Sequence, residues 1–463
     1  MTKAPKFRDF ITEAKSSNKY RVLVISGDPK PAKQKLFRTA RRIVEECKAA
    51  GHKYYVVEIE GTRIEYDDGV YKIYNQGDEE GFEIHRENTI AIVRGSVRLK
   101  NSWMDLLSRL EKTGICMVNS REVVSVSSDK YRTYVKLMDF GLTQPKTALI
   151  PNAENWKPAL ESLDTKFPII MKTLEGSKGV GVLFVESERQ IESLIQLLYS
   201  QNENVDLLIQ EYIKTDGDIR VIVLGGKILA AMKRSVVEGD FRSNVSQGAK
   251  VKEYPLTELE VEQCLLASKA IDGTWTAVDF IPSKNPKKDP PYILEVNHSP
   301  GTEGIEEASG KNIVKQVVDY FANSENRYPV PTQCGHREVV NIHPFGEIIA
   351  KFDTGNGVYS VLHAEDIKIS GKKITFNLKG KTITTDLVDT YEAETGAGGD
   401  KRPLVKLDVE FAGSMYKDVM FGLNDRSSMG TEVLFNRYVM SKLFNVMVNP
   451  ARKYIVTTKY SLD

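Results

Sequence analysis

Ala277-Val-Asp-Phe-Ile281 and Tyr292-Ile-Leu-Glu-Val-Asn297 are two short runs rich in β-branched and aromatic residues, separated by a Pro/Lys-rich turn. Each run reads as a strand, and the intervening Pro/Lys-rich turn allows the two to pair. Residues two apart on a strand project from one face, so Glu295 and Asn297 share a side and pairing brings Asp279 beside them. Val278, Phe280, Leu294 and Val296 then fall on the opposite face, where burial is expected. Two carboxylates and an amide oxygen suit a hard ion such as Mg²⁺, which takes few protein ligands and completes its shell with phosphate oxygens and water. The plain alternative is three polar residues on a solvated face. The apolar alternation behind them weighs against it.

Upstream, Pro168-Ile-Ile-Met-Lys-Thr-Leu-Glu-Gly-Ser-Lys-Gly-Val-Gly-Val-Leu-Phe-Val185 runs a strand into Lys172 and then into a loop with Gly176, Gly179 and Gly181. Such a loop lets backbone N–H groups approach phosphate oxygens while Lys172 and Lys178 supply positive charge. Taken alone, a glycine-containing hairpin with solvated lysines is the commoner meaning of this pattern. Gln210-Glu-Tyr-Ile213 ends the apolar run Leu207-Leu-Ile209 and offers a backbone hinge for a purine edge. Ala230-Ala-Met-Lys-Arg234 and Glu238-Gly-Asp-Phe-Arg-Ser-Asn244 add arginines suited to bidentate recognition of a carboxylate or acyl phosphate.

Towards the N-terminus, Arg21–Ser26, Tyr54–Ile59 and Thr89–Arg94 read as strands, and Leu36, Phe37, Ala40, Ile43, Val44 and Cys47 recur at helical spacing. The alternation predicts a parallel α/β sheet. Gly27-Asp28-Pro29 lacks the Gly-x-Gly-x-x-Gly spacing, which sets nicotinamide cofactors aside. With 463 residues, two to four domains are expected. Lys plus Arg number 64 against 63 Asp plus Glu, a balance unlike that of a nucleic-acid-coating protein. No apolar run reaches bilayer length, and four scattered cysteines read as buried thiols, so a cytoplasmic location is expected.

In this order the segments resemble the RimK family of ATP-grasp carboxylate–amine ligases over residues 20 to 325. The resemblance is carried by Ser128-Asp-Lys130, Lys172 with Glu175-Gly-Ser-Lys-Gly-Val-Gly181, Gln210-Glu-Tyr-Ile-Lys214, Asp218-Ile-Arg220, Glu238–Asn244, and Glu295-Val-Asn-His-Ser-Pro-Gly301. It implies that ATP phosphorylates a carboxylate and an amine attacks the acyl phosphate. By resemblance, Lys130 and Lys172 contact phosphates and Gln210, Glu211, Tyr212 and Ile213 hold adenine. Gly176, Ser177, Gly179, Gly181, Asp218, Arg242, Ser243 and Asn244 complete the nucleotide site. Asp279, Glu295 and Asn297 carry two Mg²⁺ or Mn²⁺ ions, and Arg220, Arg234 and Arg242 face the reacting carboxylate. The implied substrates are an amino acid, glutamate first, and a peptide or protein C-terminus, a ribosomal protein among them. A free small peptide or conjugate is the alternative product. Two departures stand out: Ala277 replaces a usual glycine, and the Glu211–Asp218 connection is slightly short.

Beyond a Pro-containing connector, alternating runs such as Ile374–Leu378, Thr382–Asp386 and Leu404–Val409, punctuated by Gly371, Gly380 and Gly398-Gly399, predict a mostly β unit. Ala350-Lys-Phe-Asp-Thr-Gly-Asn-Gly357 contains an Asp-Thr-Gly that alone is an ordinary turn. With Tyr359–Ala364, Lys401–Val405 and Leu423–Met429, residues 340 to 460 resemble the RimB-like family, which has a retropepsin-like fold and is also called ATP-dependent zinc protease. His-Glu-x-x-His is absent from the sequence, so the zinc label finds little support. Peptidase action would need two copies of Asp353 in a homo-oligomer; a noncatalytic binding or dimerisation module is the alternative. Here Asn356 replaces a usual alanine, and Leu434–Arg437 departs from a Gly-Arg pattern. The expected fold class is therefore α/β and α+β. An N-terminal open-sheet α/β domain (1–125) and an ATP-grasp domain (126–325) are followed by a linker (326–339) and a mostly β retropepsin-like domain (340–463).

Overall fold

Buried aliphatic runs set the first sheet. In Thr89–Arg94 every residue is buried, and in Arg21–Ser26 the central four are. Such doubly covered strands belong inside a parallel sheet, and the observed order is Lys53–Glu58, Arg21–Ser26, Thr89–Arg94, Cys116–Val118, all parallel. The helix Arg38–Ala50 buries Ala40, Ile43, Val44 and Cys47, one stripe at helical spacing. A computed structural model provides the coordinates and describes residues 19–26, 38–59, 61–67, 70–94, 101–174, 181–236, 250–395 and 398–457. The chain divides into two units, one holding Ser17–Tyr66 and Val70–Tyr328, the other built chiefly on Pro329–Asp463. No helix among the described residues is long and apolar enough to cross a membrane.

Besides a small three-stranded sheet, Arg63–Asp67, Val70–Tyr74 and Phe82–Ile84, the first unit contains two further, larger ones. One has the order Val182–Val185, Ile169–Thr173, Leu207–Glu211, Thr147–Ile150, with antiparallel pairing throughout. One of its faces packs Ile150, Ile169, Met171, Leu207 and Ile209 against the helices Trp156–Leu163 and Glu188–Gln201. The other is the five-stranded antiparallel sheet Val251–Glu253, Lys227–Ser235, Gly217–Leu224, Trp275–Ile281, Tyr292–Asn297.

The five-stranded sheet divides its side chains three ways. Ile219, Val221, Val223, Val278 and Phe280 pack with Cys264 and Ala267 of the helix Glu258–Ala270. On the opposite face, Ile222, Leu224, Met232, Trp275 and Ala277 join the core of the first sheet and of the helix Ile313–Ala322. Further along the same strands that face becomes charged, and this charged end is the candidate site. Leu294 departs from expectation. The register shifts between Asp279 and Phe280, so Ile293 rather than Leu294 pairs with Phe280 and is 1% exposed, while Leu294 is the extra, half-buried bulge residue.

In the second unit a seven-stranded sheet runs Arg337–Ile342, Gly346–Phe352, Val433–Phe435, Ser360–His363, Ser414–Asn424, Gly398–Phe411, Asp389–Thr395. A further pairing between Arg337–Ile342 and Gly398–Phe411 curls it towards closure. A three-stranded sheet, Glu365–Ser370, Lys373–Leu378 and Lys381–Asp386, turns at Gly371 and Gly380, both with positive φ. The core of the second unit stacks Phe352, Phe411, Phe435 and Phe444 with ring centroids 4.8–5.9 Å apart. Two expectations are corrected here. Residues 326–339 are not a bare linker, because Thr332–Gly335 pairs with Val446–Asn449 and Arg337 begins the next strand. Cys334 and Glu338 are fully buried within that stretch, and burial of the surrounding backbone demands the pairing that the polar composition obscures. Gly398-Gly399 opens a strand rather than punctuating one.

Candidate functional site

Antiparallel register assembles the charged face. Asp218 lies opposite Arg234, Arg220 opposite Asp279, Asp279 opposite Glu295 and Ala277 opposite Asn297. These side chains share one side of the pleat, since each pair is opposed and each strand repeats by two. Arg220 grips Asp279 bidentately, Nε to Oδ1 at 2.8 Å and Nη2 to Oδ2 at 2.6 Å. Arg234 grips Asp218 in the same way at 2.6 and 2.7 Å, and its Nη2 also reaches Asp279 Oδ2 at 2.9 Å. Arg220 Nη2 lies 3.9 Å from Glu295 Oε1, and Asn297 Nδ2 donates to that same oxygen at 2.9 Å.

Burial and charge oppose one another at Asp279. Burial raises its carboxyl, but Arg220 and Arg234 outweigh it and hold the group well below the ordinary carboxylate range. Glu295 moves the other way: desolvation in the cleft and the neighbouring Asp279 raise it. Its side chain keeps 41% exposure, so solvent bounds that rise. Asp279 accepts three N–H donors and also lies within hydrogen-bonding reach of the Glu295 carboxyl. Glu295 Oε2 and Asn297 Oδ1 point no hydrogen at a would-be cation, so the donor set fits Mg²⁺ or Mn²⁺.

Facing this sheet, Lys172 and Gln210 sit on the cleft side of the four-stranded sheet. Lys172 Nζ donates to Gln210 Oε1 at 2.6 Å. Desolvation pushes the Lys172 ammonium down to about 8; Glu295 raises it and Lys130 lowers it further, which brings all three into one field. Lys130 opens the helix Lys130–Asp139, capped by Asp129 accepting from Tyr131 and Arg132 N–H, and its Nζ reaches Leu174 O at 3.1 Å. Gly181 has φ +77°, and a Cβ there would meet Thr173 Oγ1 at 2.3 Å, so the strand can close over Thr173 only with glycine. Glu211 ends its strand, and Tyr212 beyond it packs edge-on to Phe184 at 5.1 Å.

Arg234 is 4% exposed and pairs with both Asp218 and Asp279. Asp218 accepts from Arg234 Nε at 2.6 Å. The Gln210 side chain is 7% exposed and accepts from Lys172 through its Oε1. Ile213, further along the segment, is half-buried. Gly176, Ser177, Lys178, Gly179, Arg242, Ser243 and Asn244 lie outside the described residues.

Sequence reasoning missed the fastening of the segment that follows the strand Tyr292–Asn297. Asn119 Nδ2 donates to His298 O at 2.8 Å and Trp275 O at 2.7 Å, and Arg94 Nη2 donates to Pro300 O at 2.6 Å. Arg94 is buried over the Trp275 ring and is lowered to about 9 by that burial. Nothing local in Val118-Asn119 or Val93-Arg94 signals these partners, because they lie on strands distant in the chain.

In the second unit, Asp353 follows the strand Gly346–Phe352, whose Phe352 is anchored in the core. Gly355 N–H donates to Asp353 Oδ1 at 2.9 Å and Lys351 Nζ lies 3.2 Å from Oδ2. Burial raises the carboxyl, but those donors prevail and hold it below its ordinary value. Asn356 ties the turn through Tyr359 O at 2.7 Å and Val358 N at 3.0 Å.

Comparison with known proteins gives three findings. The family model described as RimK-like ATP-grasp domain matches residues 127–321. A protein of Pseudoalteromonas translucida named probable alpha-L-glutamate ligase is 34% identical over 291 residues, 62% of this chain and 92% of that one. One of the same name from Methanococcoides burtonii is 30% identical over 289 residues, covering 62% and 92%. Among solved structures, D-alanine–D-alanine ligase from Bacillus anthracis complexed with ATP is 18% identical with a TM-score of 0.48, covering 66% of this chain and 97% of that one.

Proposed function

From the premise that the chain belongs to the RimK-like ATP-grasp family and is an ATP-grasp ligase of the acid–amino-acid class, we propose that it joins glutamate to the C-terminal carboxylate of a peptide or protein, a ribosomal protein among the acceptors. The names of the relatives support glutamate. The observation that carries the site is Asp279 opposite Glu295 on paired strands, across the cleft from Lys172. Lys172 and Lys130 neutralise nucleotide phosphates, and the backbone at Glu211–Ile213 meets the adenine edge. Asp279, Glu295 and Asn297 would hold Mg²⁺ or Mn²⁺, which when bound offsets charge on the phosphate oxygens. Arg220 and Arg234 keep the Asp279 carboxylate ionised and aimed. The γ-phosphoryl group passes to the acceptor carboxylate, ADP leaves, the glutamate amine attacks the acyl phosphate, and phosphate departs as the amide forms.

Nucleotide affinity should depend on pH through Lys172. Phosphate binding favours the ammonium, so the bound state holds its proton more tightly than the free state. Affinity is therefore full below about 8 and falls as pH rises through it. Titrating ATP calorimetrically in buffers of different ionisation enthalpy near that pH should report proton uptake; none would count against the assignment.

For the second unit the reading is a retropepsin-like module that trims the ligase product when two copies pair their Asp353 residues. The turn that presents Asp353 supports it. The Lys351 ion pair favours a second reading, a noncatalytic binding or dimerisation module, because a carboxylate held ionised resists proton sharing. Full-length protein incubated with ATP, Mg²⁺, each amino acid and a host lysate should release ADP and yield glutamate-extended products by mass spectrometry. No ADP under any condition sinks the ligase reading. Extended products that shorten with wild type but not with Asp353→Asn support trimming; identical products from both support the binding module.

A further inference from the structure

The nucleotide-side sheet carries a one-way chain of hydrogen bonds. Thr147 stands directly across from Gln210, and Lys172 across from Leu208, so Lys172 and Gln210 are diagonal neighbours on the same cleft face as Thr147. Lys172 Nζ donates to Gln210 Oε1 at 2.6 Å, Gln210 Nε2 donates to Thr147 Oγ1 at 2.9 Å, and Thr147 Oγ1 donates to Pro145 O at 2.9 Å. The far end fixes the direction of the whole chain. A carbonyl oxygen only accepts, so the threonine hydroxyl commits its single hydrogen to Pro145. Its oxygen can then only accept from Gln210, which must present its amino group there and its carbonyl oxygen to Lys172. Turned half a revolution, the amide would set two donors against the ammonium. Gln210 is 7% exposed, which leaves little water to compensate such a mismatch.

We propose that Thr147 is a positioning residue for nucleotide binding: anchored on Pro145 O, it fixes the Gln210 amide so that Oε1 holds the Lys172 ammonium where ATP phosphates meet it. This rests on the reading of Lys172 as a phosphate-binding lysine. Valine matches the shape and strand preference of threonine without the hydroxyl. If Thr147 served only to form the strand, Thr147→Val would be silent.

Steady-state kinetics of the full-length enzyme separate these roles. Thr147→Val should raise the KM for ATP about tenfold, the cost of one misdirected buried hydrogen bond to a charged group, with kcat and the KM for the amino acid within about twofold. Thr147→Ser, which restores the hydroxyl, should return the ATP KM to within about threefold of wild type. In a Lys172→Met background, Thr147→Val should add nothing further. An unchanged ATP KM in Thr147→Val, or a Thr147→Ser variant as impaired as Thr147→Val, overturns the positioning role while Lys172→Met still raises the ATP KM. If Lys172→Met itself leaves the ATP KM unchanged, the phosphate reading of Lys172 falls and the positioning role falls with it.

Discussion

Glu295→Gln should lower kcat for ATP-dependent ligation by roughly 10²–10³-fold while leaving stability within about 1 kcal/mol of wild type. Glu295 is 41% exposed, and among the described residues the cation paired with it, Arg220, lies 3.9 Å away, so the fold asks little of its charge. The carboxylate matters when a divalent cation and phosphate oxygens share the cleft, and glutamine keeps the shape while removing the charge. The concentration of Mg²⁺ needed for half-maximal rate should rise together with the loss of kcat. Asp279→Asn should differ in kind. Asp279 accepts three charged N–H bonds from two arginines at 3% side-chain exposure, so an amide there places NH₂ against a guanidinium and strands Arg220. Breaking a buried pair of this sort costs about 3–5 kcal/mol, and turnover should vanish with stability. Urea unfolding of both variants beside their kinetics tests the contrast. Glu295→Gln retaining more than about a third of wild-type rate would remove Glu295 from the metal set.

That contrast follows from an arrangement in which ion pairs build the floor of the site. Two arginines and three carboxylates alternate across four strands, Arg234 and Asp218 at one edge, Arg220 and Asp279 in the middle, Glu295 at the open side. The Arg234 and Asp279 side chains are only 5% and 3% exposed, whereas Glu295 at the open side is 41% exposed. Buried bidentate pairs fix geometry at a high desolvation cost, whereas the exposed carboxylate can exchange water for a cation. Arg234 is thereby tied to the Asp218 and Asp279 carboxylates, a placement that its residue type alone does not reveal.

The sequence exposes those parts of this arrangement that depend on local pattern. Arg21–Ser26 and Thr89–Arg94 are strands in the structure as in the reading, because a short aliphatic run bounded by turn formers has few other uses. Asp279 meets Glu295 because a short turn joins neighbouring antiparallel strands. Arg220 and Asp279 are 59 residues apart, Gln210 and Thr147 63, and Asn119 and His298 179. Those pairings depend on which strands become neighbours and in what register, and a shift of one residue would send each side chain to the opposite face. The bulge at Leu294 makes the same point, since alternation assigned Leu294 to the core and one extra residue handed that place to Ile293. The polar stretch 332–339 misled for another reason: its burial is secured by partners at the far end of the chain.

Glu338 is where those partners converge, and Glu338→Ala should destabilise the second unit by about 3–5 kcal/mol. Its carboxylate is fully buried and answers five donors. Oε1 accepts from Gly335 N at 2.6 Å, Ile455 N at 2.9 Å and Val456 N at 3.2 Å, while Oε2 accepts from Thr457 N at 3.0 Å and Thr457 Oγ1 at 2.6 Å. Truncation leaves four backbone N–H groups without an acceptor, at about 1–3 kcal/mol for each that water cannot reach. The effect should travel towards Asp353 along hydrogen bonds rather than by distance. Arg337–Ile342 pairs with Gly346–Phe352, and Phe352 N donates to His336 O at 3.0 Å immediately before the Asp353 turn. Peptide-level hydrogen exchange of the full-length variant should therefore lose protection first at 455–457, then at 332–342, with 346–355 following. Glu338→Gln keeps one oxygen and should fall between wild type and alanine, because its amide NH₂ opposes donors on one side. Protection at 346–355 unchanged in Glu338→Ala, with less than about 1 kcal/mol lost by urea unfolding, would show that the chain end is not what holds the Asp353 turn in place.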